Sequence, residues 1–173
     1  MSEENHTDCG RLLPADIDAL ARRVIEENAA AGRSIALAES CTGGLVAAAL
    51  TEIPGSSAVL DRGFVTYSNE AKMESLGVAQ DIIETFGAVS IACVWAMAQG
   101  ALDRSGADVA VAISGVAGPG GGSKLKPVGT VVFARATRNG EDKPEGELKH
   151  FADMNRAEVR HQAALCALEL LLP

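Results

Sequence analysis

The chain has 173 residues, 47% of them hydrophobic, which is enough for one good core and leaves no obvious room for a second domain. With 23 acidic against 15 basic side chains the formal charge is −8 and no Lys/Arg cluster stands out, which excludes the electrostatic footprint of a protein that grips nucleic acid or an anionic membrane. Cys9, Cys41, Cys93 and Cys166 lie far apart with no C-x-x-C spacing, so no zinc cluster is expected and reduced thiols in the cytoplasm are the simplest reading.

The opening stretch MSEENHTDCGR is acidic and polar, without the basic start and apolar run of a signal peptide, and no later apolar run reaches membrane-spanning length. Residues 1–12 are expected to form a frayed or disordered tail ahead of one domain over residues 13–173. Pro14 opens a segment in which Ile17, Leu20, Ala21, Val24 and Ile25 recur at helical spacing, and Gly32 supplies the stop. SIALA reads as a short buried strand, GLVAAALTEI as a helix ended by Pro54-Gly55, and GFVTY as a second strand carrying Tyr67 at its end. Three helical pieces separated by glycines follow, NEAKMESLG, DIIETFG and SIACVWAMAQGALDRSG, before the strand DVAVAIS. After the glycine-rich GVAGPGGGSKLKP come the strong strand VGTVVFARAT, a turn at Asn139-Gly140, a weaker strand ELKHFA and a closing helix from about Arg156 to Leu172. The Asn-Gly turn suggests that the last two strands form a hairpin. Strands alternating with helices and ending in a hairpin predict an α/β fold: a three-layer α/β/α sandwich on a mixed, mostly parallel sheet of five or six strands.

Ligands of open α/β sheets bind beyond the carboxyl ends of the strands, where Ser40 falls. Ser40 or Thr42 could simply cap the following helix, a role worth about 1 kcal/mol. Against that stands redundancy: Glu39, Ser40, Cys41 and Thr42 crowd four polar or reactive side chains ahead of Gly43 and Gly44, whose backbone lets a ligand approach closely. N–H groups there could hold a phosphate or stabilise an oxyanion. Cys41 is a rival nucleophile, or a small buried hydrophobe. Lys72 could activate a serine if burial lowers its pKa from the usual value of about 10.4; equally it could be a solvated helix lysine. Tyr67 could donate a proton or pack on a strand.

The stretch ISGVAGPGGGSK ends a strand at Ser114 and then supplies Gly115, Gly118, Gly120, Gly121 and Gly122, a backbone able to fold round an anion. It is not a Walker A loop, since the order is Gly122-Ser123-Lys124. Arg156, opening the last helix, is a further cation that could meet a phosphate. A Ser/His/Asp arrangement using His150 or His161 is weaker, because Ser40 lacks a G-x-S-x-G setting.

Taken together, AESCTGG, IPGSSAVLDRGFVTYSNEAK, FGAVS and ISGVAGPGGGS…KPVGTV resemble the CinA C-terminal domain family, in order and over about Ala21 to Leu170. Enzymatic members of that family are nicotinamide mononucleotide deamidases. The resemblance implies a metal-independent Ser/Lys amidohydrolase, with Ser40 as nucleophile, Lys72 as its base and Tyr67 assisting. It also implies substrate binding by Thr42, Gly43, Gly44, Ser114, Gly115, Gly118, Gly121 and Arg156. No cofactor or metal is called for; the expected partner is a small pyridine nucleotide, with no nucleic acid or membrane, and a homo-oligomer is expected. The chain looks like a stand-alone form of the domain. One departure is FADMNR, where the family has Phe-x-Gly-Asp-Arg: there is one extra residue, and Asn155 stands in the aspartate's place. The alternative is a non-catalytic nucleotide-binding or interaction module linked to competence or DNA repair.

Overall fold

In the computed structural model, which describes residues 10–140 and 145–173, the elements run α1 (Ala15–Ala30), β1 (Ile35–Glu39), α2 (Leu45–Thr51), β2 (Leu60–Val65), α3 (Asn69–Leu76), α4 (Gln80–Phe86), α5 (Ile91–Asp103), β3 (Val109–Gly115), β4 (Thr130–Thr137), β5 (Glu145–His150) and α6 (Arg156–Leu170). The expected tail falls mostly on residues 1–9, outside the described residues, as does part of the β4–β5 connection.

Side-chain alternation on the central strands decides how the helices sit. Ile35, Leu37, Val109, Val111, Ile113, Val131 and Phe133 point to one face of the sheet and pack with α1, α2 and α6. Ala36, Ala38, Ala110, Ala112, Ala134 and Ala136 point to the other and pack with α5. Large side chains fill the first layer at roughly 1.5–3 kcal/mol each, while the alanine floor lets α5 lie close to the sheet. The result is the three-layer α/β/α sandwich.

Strand order is β2-β1-β3-β4-β5, with β2, β1 and β3 parallel, β4 reversed and β5 turned back, so four of the five strands share one direction. β4 and β5 form the expected antiparallel hairpin, with Thr130 opposite His150. β2 differs from its predicted span: it pairs with β1 from Leu60 and ends with Val65 opposite Glu39. The Thr66 N–H makes the last rung to the Glu39 carbonyl at 2.9 Å. Tyr67 therefore lies in the loop beyond the strand, 61% exposed, and not on a half-buried strand position.

The irregular FADMNR stretch is accommodated locally. Asp153 adopts φ 59°, and the Asn155 side chain accepts from the Ala157 and Glu158 N–H groups while Glu158 reaches back to the Asn155 N–H at 2.7 Å. This capping box starts α6 at Arg156.

α3 is seated on α5 through Gly100, where an added Cβ would run into the Leu76 carbonyl at the end of α3. Helix propensity alone favours alanine there by about 1 kcal/mol. A clash against backbone costs about 1–3 kcal/mol and wins. Gly100→Ala is expected to lower the urea midpoint by an amount equivalent to roughly 1–3 kcal/mol at unchanged m; an equal or higher midpoint would show that α3 gives way freely.

Candidate active site

Ser40 is the first residue past β1, its N–H still donating to the Ile113 carbonyl at 2.9 Å, so its side chain stands at the carboxyl end of the sheet. α3 begins after Ser68, whose hydroxyl caps it by accepting from the Ala71 N–H at 3.0 Å. That start turns Lys72 and Leu76, one helical turn apart, toward the interior. Lys72 Nζ lies 3.1 Å from Ser40 Oγ and donates to the Thr66 carbonyl at 2.8 Å. The side chain is 1% exposed and forms no ion pair among the described residues. Burial pushes its pKa down from the ordinary lysine value, with Cys93 and Cys41 opposing the shift as weaker influences.

The turn after Ser40 is held from within. Glu39, fully buried, accepts from the N–H groups of Gly44 at 3.0 Å, Val46 at 3.2 Å and Ala47 at 2.9 Å. It thereby occupies the N-terminus of α2, which lacks a capping side chain of its own at Gly44. The Gly43 N–H donates to the Ser40 carbonyl at 3.0 Å. Of the four N–H groups from Cys41 to Gly44, those of Gly43 and Gly44 are thus engaged. Burial pushes the Cys41 thiol up to about 11, which leaves it protonated and a poor nucleophile near neutrality.

A cavity of about 250 Å³ opens beside Ser40 and Cys41. Its far wall is the backbone of Gly115 to Gly118 with Gly120 and Gly121, and its rim is Tyr67 and Arg156. At Gly115 a Cβ would stand 2.8 Å from Val131 Cγ2 and 2.9 Å from the Thr130 carbonyl, so a side chain there would displace β4 or fill the cavity mouth. Arg156 donates to the Gly118 carbonyl at 2.8 Å and to the Tyr67 hydroxyl at 2.9 Å. Its guanidinium ties the glycine loop to the β2–α3 loop and leaves a positive edge on the cavity.

Of the residues singled out in the sequence, Ser40, Tyr67, Gly115, Gly118, Gly121 and Arg156 line this cavity, and Lys72 sits behind Ser40. Thr42, Gly43, Gly44 and Ser114 do not line it: Thr42 and Ser114 are buried, and Gly43 faces Arg160. Neither histidine belongs to the site, since His161 pairs with Asp16 at 2.8 Å and His150 meets the Val128 carbonyl at 3.2 Å. Among the described residues no group of three or more His, Cys, Asp or Glu side chains is placed to hold a metal, and no helix is long and apolar enough to cross a membrane. Sequence reasoning did not single out the Thr66 carbonyl or Arg160, which donates to the Cys41 carbonyl at 3.1 Å and the Thr42 carbonyl at 2.9 Å. Arg160 follows Arg156 by four residues on α6, a spacing that stacks both on one face.

The sequence model of the CinA C-terminal domain matches residues 17–173. A CinA-like protein of Akkermansia muciniphila is 59% identical over 110 residues, covering 64% of this chain but 27% of that protein, and the chain spans between about a quarter and two fifths of the longer relatives of this kind. Nicotinamide-nucleotide amidohydrolase PncC of Escherichia coli is 49% identical over 160 residues, covering 92% of this chain and 95% of that protein. The crystal structure of the competence/damage inducible protein CihA from Agrobacterium tumefaciens superposes with a TM-score of 0.89 at 52% identity, covering 93% of this chain and 96% of that one. The chain belongs to the CinA C-terminal domain family.

Proposed function

We propose that this chain is a nicotinamide-nucleotide amidohydrolase that hydrolyses nicotinamide mononucleotide to nicotinate mononucleotide and ammonia, with Ser40 as nucleophile and Lys72 as its base. The observation that carries the reading is the buried Lys72 amine 3.1 Å from Ser40 Oγ, with no carboxylate paired to it among the described residues. A binding module has no use for that arrangement, which costs stability. The name of the E. coli relative, which matches nearly end to end, supports the same substrate.

In this mechanism neutral Lys72 accepts the Ser40 hydroxyl proton as Oγ bonds to the carboxamide carbon. Negative charge gathers on the former carbonyl oxygen, and the N–H groups of Cys41 and Thr42 are the donors in the turn not committed to a carbonyl or to Glu39. The lysine ammonium returns the proton to the amide nitrogen, the C–N bond breaks and ammonia leaves. Water then adds to the acyl-serine ester, giving up a proton to Lys72, which passes it to Ser40 Oγ as the C–O bond to serine breaks, and the product departs as the carboxylate after losing its own proton to solvent. Arg156, with the Tyr67 hydroxyl and the glycine loop, takes the phosphate at the other end of the cavity. Cys41, Cys93 and Cys166 are unpaired, which suits a reducing cytoplasm.

The pH dependence has a definite sign. Below its folded-state pKa Lys72 carries a proton and cannot act as a base, so kcat/KM rises with pH along a limb centred below the usual lysine value of about 10.4. The unfolded chain holds that proton more tightly, so stability also rises with pH between the two pKa values. Purified protein is expected to release ammonia from nicotinamide mononucleotide in the presence of a chelator, and Ser40→Ala to release none. Lys72→Met should lose roughly 10²–10⁴-fold in rate together with the pH limb, while raising the thermal midpoint at neutral pH. Tight binding of the nucleotide without ammonia release from the wild type would turn the reading to a binding module.

Phosphate recognition is checked separately. Charge-assisted hydrogen bonds contribute about 1.5–3 kcal/mol each, or roughly 10–150-fold. The mononucleotide should therefore exceed nicotinamide riboside in kcat/KM by at least that factor, and Arg156→Met should erase most of the difference. Equal efficiency on the two compounds would place the phosphate outside this cavity.

A further inference from the structure

α6 lays two guanidinium groups along the site, and only the first reaches the cavity. Arg160, one turn beyond Arg156, is partly buried beneath the turn that follows Ser40. Its Nε and one terminal nitrogen donate to two consecutive carbonyls, those of Cys41 at 3.1 Å and Thr42 at 2.9 Å. It has no carboxylate partner among the described residues, so the fork is committed to the backbone of that turn.

The consequence follows from peptide geometry. In a planar trans peptide the C=O and the following N–H point in opposite directions. Fixing the Cys41 carbonyl toward α6 therefore fixes the Thr42 N–H on the side of that peptide turned away from α6. Fixing the Thr42 carbonyl likewise sets the Gly43 N–H, which closes the turn on the Ser40 carbonyl. A cation behind the carbonyls also polarises both amides, making the Thr42 N–H a stronger donor. Glu39 holds the amides of Gly44, Val46 and Ala47 of the same turn, so a buried carboxylate and a partly buried guanidinium both clamp it.

We propose that Arg160 is a positioning residue for acyl transfer: by gripping the Cys41 and Thr42 carbonyls it sets the Thr42 N–H as a donor to the oxyanion formed at Ser40. The inference rests on the amidohydrolase reading above. It assigns Arg160 a part in turnover and none in ligand binding, in contrast to Arg156 four residues earlier.

The experiment compares wild type, Arg160→Met and Arg160→Gln on nicotinamide mononucleotide, with substrate affinity measured by calorimetry in the Ser40→Ala background. Arg160→Met is expected to lower kcat by about 10–10³-fold, bounded above by the loss of a whole oxyanion donor, with affinity unchanged within about twofold. Arg160→Gln keeps one donor and should fall between the two; it carries the test if Arg160→Met does not fold. A kcat within twofold of wild type, or a loss appearing wholly in affinity, overturns the proposal. Wild type inactive on the nucleotide would overturn the functional reading instead. In that case the backbone amide resonance of Thr42 is the readout: it should move on Arg160→Gln and gain exchange with solvent if Arg160 sets that peptide, and an unmoved, equally protected amide refutes the role.

Discussion

A lysine amine buried with no carboxylate beside it among the described residues is the constraint on which the site depends. Burial disfavours the ammonium and lowers the Lys72 pKa, so the amine is held by acceptors that carry no charge to oppose that shift. One neutral carbonyl, that of Thr66, and one hydroxyl, that of Ser40, meet this requirement. Both are available because β2 stops at Val65 and β1 at Glu39, so that the chain leaves the sheet on two adjacent strands at the same level. The third side is α3, and α3 keeps its station because Gly100 lets its last carbonyl settle against α5. Packing remote from Ser40 thus sets its distance from the Lys72 amine.

Charge is distributed along the cavity in a way that bulk composition conceals. A net charge of −8 argues against anionic ligands in general, yet the cavity edge is formed by a guanidinium and by glycine backbone. The helix N-terminus that would otherwise attract an anion, that of α2, is filled by Glu39. The positive partner on the cavity edge is Arg156, while Ser40 has the buried Lys72 amine behind it.

Much of this was legible in the sequence because the signals were local. Helical periodicity from Ile17 to Ile25, the alanine-rich strand cores and the Asn-Gly turn sufficed for a sandwich on a mixed sheet. The Ser40, Tyr67, Lys72 and glycine-loop stretches were visible as motifs. What they lacked was depth: nothing near Lys72 in sequence distinguishes a buried amine from a solvated one, because its burial comes from α5 and from the loops after β1 and β2. The end of β2 was misjudged for a related reason, since GFVTY has the composition of a strand but pairing stops when the partner strand does. The role of Glu39 needed three amides brought back by a turn, and that of Arg160 needed a contact 118 and 119 residues away along the chain.

α6 carries Arg156 and Arg160 on one face, one turn apart, with a capping box fixing where the helix begins. The two side chains therefore share a rigid mount. Sliding or rotating that helix would move the backbone that follows Ser40 together with the Arg156 edge of the cavity. A change of ligand has a freer route through the span from Pro119 to Leu125, which is exposed and lies beyond the Gly118 carbonyl that Arg156 holds. In such an architecture the chemistry is inherited as a block, and variety in what is bound is confined to a single span of chain.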